Sequence, residues 1–195
     1  MRRIGQFIDG QAVTGSGGTT FDSIDPATGE TLATVSSATA DEIDSAISAA
    51  AAAQQEWQAT DGAHKAAILN RIADALTDRR QELAELEVAD TGKPISEAPE
   101  ADIDSAADCF RFFAGVARSI RGESIDLPDT LIYTRREPWG VCAGIGAWNY
   151  PIQIASWKAA PALACGNAMV FKPSEMTPLT AMELAAIIQQ AGVPR

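Results

Sequence analysis

Apolar and polar residues follow three different patterns along the chain. In residues 1–35, short apolar runs are separated by turn residues, a pattern typical of β-strands. Strands are predicted over residues 6–14, 21–24 and 31–35. Asp9-Gly10 is a favoured two-residue turn, so the first run is predicted to form a β-hairpin. A flexible loop is expected over residues 15–18.

The second pattern is helical and covers residues 39–118. Its apolar residues recur three and four positions apart, which places them on one face of a helix. Thr39 and Glu42 have the spacing of a capping box, so the first helix is predicted to begin there. One apolar stripe of this helix is predicted to carry Ile43, Ala46, Ile47, Ala50 and Ala53. Helices are expected over residues 39–58, 61–78, 80–91 and, with a bend near Pro99, 100–118.

The third pattern begins after Gly140 and predicts a βαβ unit. Residues 141–145 and 168–171 are short apolar runs bounded by glycine, as buried parallel strands are. Between them, residues 152–164 are apolar on more than one face, as in a helix that packs on a sheet. A last helix is expected over residues 179–191.

Polar residues follow both predicted strands at their carboxyl ends. Asn149 lies in the turn after the first strand, and Lys172 and Glu175 follow the second. Ligands of open α/β sheets bind at this edge, so the two loops are candidate site loops. The alternative for Asn149 is a turn residue that bonds nearby backbone. The alternative for residues 172–175 is a solvated turn that caps the next helix.

Composition narrows the class of protein. Twenty-six acidic and 15 basic residues give a net charge of −11, which argues against binding to nucleic acid. No run approaches the ~18 consecutive apolar residues of a membrane span, and no secretory signal begins the chain. We therefore expect a cytoplasmic protein without nucleic-acid or membrane partners.

Cysteine and histidine offer no recognisable metal or nucleophile motif. Cys109, Cys142 and Cys165 lack CxxC spacing and are predicted to be reduced, buried thiols. His64 is the single histidine, and it is predicted to lie on the surface. One histidine cannot build a histidine-based metal site.

Three motifs lie in order around the predicted βαβ unit: AWNYP, WKAAPALACGN and KPSEMTP. Together they resemble the first half of the cofactor domain of the aldehyde dehydrogenase superfamily. The longer run over residues 135–181 is most similar to the betaine aldehyde dehydrogenase branch. The resemblance implies an α/β fold with a Rossmann-type cofactor domain, here incomplete, preceded by an N-terminal β-hairpin and a helical layer.

The resemblance also implies a domain organisation. Residues 1–123 would form the N-terminal part of the NAD-binding domain, and residues 124–138 a strand of the oligomerisation region. Residues 139–195 would form the first, truncated βαβ unit. A homo-oligomer, dimer or tetramer, is implied for the full-length protein. The family's catalytic cysteine and general-base glutamate would lie beyond residue 195, so the chain alone is expected to be inactive.

By resemblance, Asn149 is the amide that stabilises the oxyanion formed when a cysteine thiolate attacks an aldehyde. Lys158 would belong to a proton relay, and a lysine that snorkels at the helix edge is the alternative. Tyr150 either contributes to an aromatic box for a trimethylammonium group or packs under the loop.

The cofactor implied by the resemblance is NAD. Glu175 favours NAD because a carboxylate would repel a 2′-phosphate, whereas the charge of Lys172 leaves NADP open. No GxGxxG motif occurs in the chain. The contacts are expected from Gly146, Ala147 and Trp148 on the nicotinamide and pyrophosphate side, and from Lys172, Pro173, Ser174 and Glu175 around the adenosine ribose. The alternative for Trp148 is an aromatic residue of the core.

The same branch binds potassium through backbone carbonyls, which here would be those of Ile24, Asp90 and Met176. The implied activity is NAD-dependent oxidation of a small aldehyde, betaine aldehyde to glycine betaine, through a cysteine thiohemiacetal. The alternative is a stand-alone nucleotide-binding or assembly module without catalysis.

Overall fold

A computed structural model describes residues 2–15 and 18–195; Ser16 and Gly17 of the expected loop over residues 15–18 lie outside the described residues. The predicted hairpin is confirmed: β2 (Gln6–Ile8) pairs antiparallel with β3 (Gln11–Val13). Asp9 and Gly10 have φ of 52° and 69°, and both angles are positive, as a type I′ turn requires.

A separate three-stranded sheet packs beside this hairpin. β4 (Thr20–Ile24) lies antiparallel to β5 (Thr31–Ser36), in agreement with the predicted strands. β1 (Arg2–Ile4) adds to the other edge of β5 in parallel, and the sequence did not indicate it. Its single apolar residue, Ile4, is buried against β5 and Leu179, so long-range packing forms this short strand.

Helices form the predicted layer over the middle of the chain. Thr39 and Glu42 make both bonds of the capping box, and Gly92 ends the third helix with φ of 75°. The predicted bend at Pro99 is a π-helix. No described helix has both the length and the apolar character needed to cross a membrane. The helices are α1 (Ala40–Ala59), α2 (Gly62–Asp78), α3 (Arg80–Thr91), the π-helix (Pro99–Asp104) and α4 (Ser105–Ala117).

The apolar stripe predicted on α1 does not pack into the core. Ile43 and Ile47 are 47% and 44% exposed, and Ile43, Ala46 and Ala50 line an open groove of about 740 Å³. The helix instead buries Trp57, whose indole Nε1 donates to the carbonyl of Leu163 at 2.9 Å. The apolar stripe of α1 therefore faces the groove and not the core.

The predicted βαβ unit is present, and its two strands are parallel. β8 (Val141–Ile145) pairs with β9 (Ala168–Lys172), with Val141 opposite Ala168 and Ile145 opposite Lys172. α5 (Pro151–Ala164) connects them, and α6 (Leu179–Gln190) follows. α5 is the central helix of the core, because it contacts α2, α4 and α6 as well as both strands. The fold class is therefore α/β, as predicted.

A hairpin stands where a single strand was expected. β6 (Ser124–Leu127) and β7 (Thr130–Tyr133) pair antiparallel around a turn at Pro128 and Asp129. Every residue of both strands is exposed. The Pro-Asp pair reverses the chain because proline presets the first turn position.

Candidate functional site

The loops after β8 and β9 meet at the carboxyl edge of the parallel pair. The backbone N–H of Gly146 donates to the carbonyl of Lys172 at 2.8 Å. A Cβ at position 146 would lie 2.9 Å from the ring of Phe171 and 3.1 Å from Cα of Pro173. Only glycine therefore allows the two strand ends to approach this closely.

A second bond joins the same two loops farther from the sheet. The hydroxyl of Thr177 donates to the carbonyl of Trp148 at 3.0 Å, and Thr177 is 4% exposed. Ser174 accepts from the backbone N–H of Met176 at 3.2 Å and holds its own turn. The sequence analysis did not single out Thr177, although it lies within the KPSEMTP motif. Residues 146–149 and 172–177 thus form one connected surface.

Asn149 presents its side chain to solvent on this surface. Within residues 2–15 and 18–195, its side chain makes no hydrogen bond, so the turn-bonding alternative is not what this structure contains. Its amide is therefore free to donate to a ligand oxygen. The neighbouring Trp148 is 65% exposed and is not a core residue.

Lys172 and Glu175 form an exposed ion pair on the second loop. Nζ of Lys172 lies 3.1 Å from Oε2 of Glu175 and donates to the carbonyl of Pro173 at 3.0 Å. Backbone N–H donation and the adjacent ammonium lower the pKa of Glu175. The pair offers one cationic donor and one anionic acceptor side by side, which suits two neighbouring hydroxyls. Because it is solvated, it contributes little to stability.

The groove of about 740 Å³ begins beside this ion pair. Its walls are the exposed face of α1, the strand β9 and the helix α6, and its volume is typical of small-molecule sites. Lys172, Pro173, Ser174 and Glu175 all line it. Among the described residues, Gly146, Ala147, Trp148 and Asn149 do not belong to its lining. The predicted site residues therefore divide into two groups that the bond from Gly146 to Lys172 joins.

Lys158 lies apart from both groups. It is two turns into α5 and its side chain is exposed. It makes no ion pair within the part of the chain that the structure describes. An unpaired ammonium in solvent carries no burial cost, which matches the snorkelling alternative.

Two buried carboxylates of α3 hold the helices that follow the site loops. Glu87 is 0% exposed, and it accepts from the N–H of Ile152 at 3.3 Å and from the hydroxyl of Thr180 at 2.6 Å. Burial raises the pKa of Glu87 to about 8. The sequence analysis missed Glu87, because an acidic residue in a helix is ordinarily solvated.

The second carboxylate is Asp90, which is 2% exposed. It accepts from the hydroxyl of Ser23 at 2.5 Å and from the N–H of Leu179 at 2.9 Å, and burial raises its pKa. These bonds bring the end of β4, the end of α3 and the start of α6 together. Ile24 ends β4, Asp90 lies in α3 and Met176 precedes α6, so these bonds join the segments that carry the three predicted carbonyls. No cluster of three metal-ligating side chains occurs among the described residues.

The three cysteines occupy different environments, and none adjoins Asn149. Cys109 is half-buried against the carbonyl of Ser156, and burial raises its pKa to about 11. Cys142 lies within β8 and is half-buried. Cys165 is exposed, contrary to prediction, because it follows the last turn of α5. The 14 residues of α5, about 21 Å, separate it from Asn149.

Comparison with known proteins agrees with this geometry. The family model described as "Aldehyde dehydrogenase family" matches residues 13–195. An aldehyde dehydrogenase from Bacillus cereus, solved in complex with NAD⁺, is 39% identical over 99% of this chain and 40% of that chain, with a TM-score of 0.95. PnpE from Pseudomonas sp. WBC-3, in complex with nicotinamide adenine dinucleotide, is 37% identical over 100% of this chain and 40% of that chain, with a TM-score of 0.94.

An NADP-dependent enzyme from E. coli is 35% identical over 96% of this chain and 39% of that chain, with a TM-score of 0.93. The chain thus spans about 40% of the length of the solved structures that it matches. The family match covers all six described helices and both strands of the βαβ unit. The chain belongs to the aldehyde dehydrogenase family.

Proposed function

We propose that this chain supplies the N-terminal part of the cofactor-binding domain of an NAD-dependent aldehyde dehydrogenase. That enzyme would oxidise an aldehyde to the carboxylic acid through a cysteine thiohemiacetal. The bond between Gly146 and Lys172 carries the proposal, because it joins a free amide, Asn149, to a loop with paired ribose-binding groups. The NAD complexes of two similar proteins support the cofactor assignment.

In the proposed enzyme, the residues of this chain bind and orient. The amide of Asn149 would donate to the oxyanion that develops on the aldehyde oxygen, which is worth roughly 3–4 kcal/mol. Lys172 would donate to the ribose hydroxyls and Glu175 would accept from them, with Pro173 and Ser174 shaping the turn. The backbone at Gly146 and Ala147 and the indole of Trp148 would face the nicotinamide and pyrophosphate. When bound, NAD accepts the hydride.

Preference for NAD over NADP is part of the proposal. The carboxylate of Glu175 lies at the rim of the groove, where it would repel a 2′-phosphate. Its ion pair with Lys172 offsets part of that repulsion. The similarity to an NADP-dependent enzyme keeps NADP as the second candidate.

We further propose betaine aldehyde as the substrate, on the similarity of residues 135–181 to that branch. One face of the Tyr150 ring is occupied by the ammonium of Lys93, 4.0 Å from the ring centroid. Tyr150 therefore packs on Lys93 beneath the loop, and a trimethylammonium box would need other aromatic residues. A potassium ion at the carbonyls of Ile24, Asp90 and Met176, and a proton-relay role for Lys158, complete the proposal.

Residues 1–123 and 139–195 would then be parts of one NAD-binding domain, and residues 124–138 would belong to the oligomerisation region. The exposed β6–β7 hairpin supports that division. Its exposed apolar side chains, 46–72% accessible, favour burial in a dimer or tetramer. They are Ile125, Leu127, Leu131, Ile132 and Tyr133.

Steady-state kinetics of a full-length enzyme that contains this chain would test the proposal. Asn149→Ala is expected to lower kcat about a hundredfold or more with little change in the KM for NAD, because its contact forms in the transition state. Lys172→Ala is expected to raise the KM for NAD with a smaller effect on kcat, because ribose contacts are alike in ground and transition states.

Asn70→Ala is the matched control, because it makes the same change at an exposed position of α2. It should leave both constants unchanged. An Asn149→Ala variant that mainly raised the KM for NAD, or a Lys172→Ala variant that mainly lowered kcat, would contradict the two assigned roles.

A further inference from the structure

A buried cluster of charged residues lies beneath the Asn149 loop. It consists of Glu87 of α3, Lys93 after α3 and Asp102 of the π-helix, and it is called here the carboxylate–lysine cluster. Nζ of Lys93 lies 2.7 Å from both carboxylate oxygens of Asp102. Glu87 and Asp102 are both 0% exposed, and the side chain of Lys93 is 12% exposed.

Stability alone does not explain this cluster. Removing two carboxyl groups and an ammonium from water costs free energy that their mutual attraction only partly offsets. Apolar residues of the same volume would pack such a region at least as well. Asp102 also lies in a π-helix, a form that is rare in proteins and is often found at functional sites. A role other than stability is therefore sought in the contacts that the cluster makes.

Glu87 and Lys93 both contact residues that follow Asn149, and Glu87 also holds Thr180 of α6. Glu87 accepts from the N–H of Ile152 at 3.3 Å, and Lys93 lies 4.0 Å from the ring centroid of Tyr150. The next side chain, Gln153, donates to the carbonyl of Ala101 in the π-helix at 2.5 Å. Three of the four residues after Asn149 are thus held by α3, the π-helix or the turn between them.

The bond from Ile152 to Glu87 replaces a missing helix cap. Ile152 is in the first turn of α5, where backbone N–H groups have no partner within the helix. Tyr150 precedes the helix but provides no side-chain cap, and Pro151 has no N–H to donate. Glu87 lies 65 residues before Ile152 in the chain. Its carboxyl therefore accepts the backbone N–H that the side chain of an N-cap residue ordinarily accepts.

We infer that Glu87, Lys93 and Asp102 are positioning residues for Asn149. They fix the start of α5 against α3 and the π-helix, while Asn149 itself extends freely into solvent. The anchored neighbours then fix the position of the Asn149 amide. Hydrogen bonds made by the amide itself would occupy the groups that a ligand needs. This inference rests on the oxyanion role proposed for Asn149.

The protonation of the cluster determines which substitutions preserve it. Burial raises the pKa of Glu87 to about 8, so this carboxyl keeps its proton at neutral pH. Burial also raises the pKa of Asp102, while the adjacent ammonium of Lys93 favours its ionised form. Glutamine has the shape of a neutral glutamic acid. Its amide oxygen can still accept from the N–H of Ile152, and its NH2 can donate to the hydroxyl of Thr180. Glu87→Gln is therefore the conservative variant and Glu87→Leu the disruptive one.

Amide hydrogen exchange of this 195-residue chain, followed by NMR at Ile152, tests the anchoring without reference to activity. Glu87→Leu is expected to accelerate exchange at Ile152 about tenfold or more, because the N–H loses its acceptor, and Glu87→Gln by much less. Asp90→Asn is the matched control, because it alters the other buried carboxylate of α3, which holds Leu179. It should leave exchange at Ile152 unchanged.

Tyr150 supplies a second pair of variants if Glu87→Leu fails to fold. Tyr150→Phe retains the ring over Lys93 and should leave exchange at Ile152 near that of the parent chain. Tyr150→Leu removes the ring and should accelerate it. Equal exchange at Ile152 in Tyr150→Leu, Tyr150→Phe and the parent chain would overturn the anchoring role of Lys93.

A double-mutant cycle in the full-length enzyme tests positioning itself. Glu87→Leu is expected to lower kcat at least about tenfold with the KM for NAD little changed, and Glu87→Gln to restore most of kcat. Added to Asn149→Ala, Glu87→Leu should lower kcat little further, because it acts through Asn149. Asp104→Asn, a change at a half-buried residue of the π-helix that pairs with Arg80 and not with the cluster, should leave kcat unchanged.

The outcomes separate the two proposals. If Asn149→Ala leaves kcat unchanged, the oxyanion role is wrong, and the positioning inference falls with it. If Asn149→Ala lowers kcat but the effect of Glu87→Leu is simply additive to it, only the positioning inference is overturned. Full loss of kcat in Glu87→Gln would likewise overturn it, since that variant retains the acceptor for Ile152.

Discussion

Replacing Gly146 by alanine tests how closely the two strand ends must approach. The new Cβ would lie 2.9 Å from Cζ of Phe171, 3.1 Å from Cα of Pro173 and 3.3 Å from the carbonyl oxygen of Lys172. Two of these three atoms are backbone, which cannot turn aside as a flexible side chain can. The residue has no left-handed φ, so space and not backbone strain decides the effect.

The clash can be relieved only by separating the ends of β8 and β9. That movement weakens the bond from the N–H of Gly146 to the carbonyl of Lys172, now 2.8 Å long. Overpacking of this kind costs about 1–3 kcal/mol. For a chain of this size, a loss of about 2 kcal/mol lowers Tm by about 4–8 °C. The same movement would displace Asn149 relative to the ribose-binding loop.

Thermal unfolding followed by circular dichroism measures the effect, and Gly115→Ala is the matched control. Gly115 lies in α4, is exposed, and has no atom within 4 Å of the Cβ that alanine would add. Alanine there should raise stability by about 0.5–1 kcal/mol, because glycine is unfavourable within a helix. The two identical substitutions are thus expected to change Tm in opposite directions. A Gly146→Ala chain at least as stable as the parent would refute the steric argument.

Three further predictions concern titration, thiol reactivity and turnover. The folded pKa of Glu87, about 8, exceeds its ordinary 4.5, so its proton stabilises the folded state at low pH. The free energy of unfolding should therefore fall as pH rises between about 5 and 8. Urea unfolding across that range should show a smaller fall in Glu87→Gln, because the substitution removes this titrating carboxyl; an unchanged slope would contradict the assignment. Cys165 should react with a disulfide reagent much faster than Cys109, whose pKa burial raises to about 11. Equal rates would contradict that order. This 195-residue chain should reduce no NAD with an aldehyde, and turnover that Cys142→Ala or Cys165→Ala abolished would refute our interpretation of the thiols.

The sequence by itself determined the elements whose causes are local. Asp9-Gly10 forms the hairpin turn, Thr39 and Glu42 cap α1, and α3 spans residues 80–91, each as predicted. These features depend on backbone conformations and bonds within a few residues. The two strands of the βαβ unit were equally predictable, because strands buried in a parallel pair appear in the sequence as nearly continuous apolar runs.

Only the tertiary structure decided which polar groups are buried and which apolar groups are not. Glu87 lies in an ordinary helical pattern, and its role depends on Ile152 and Thr180, 65 and 93 residues away. The stripe of Ile43, Ala46 and Ala50 has the spacing of a core face, yet it lines an open groove. Periodicity tells which residues share a face, but what packs on that face is set by contacts between segments far apart in the chain.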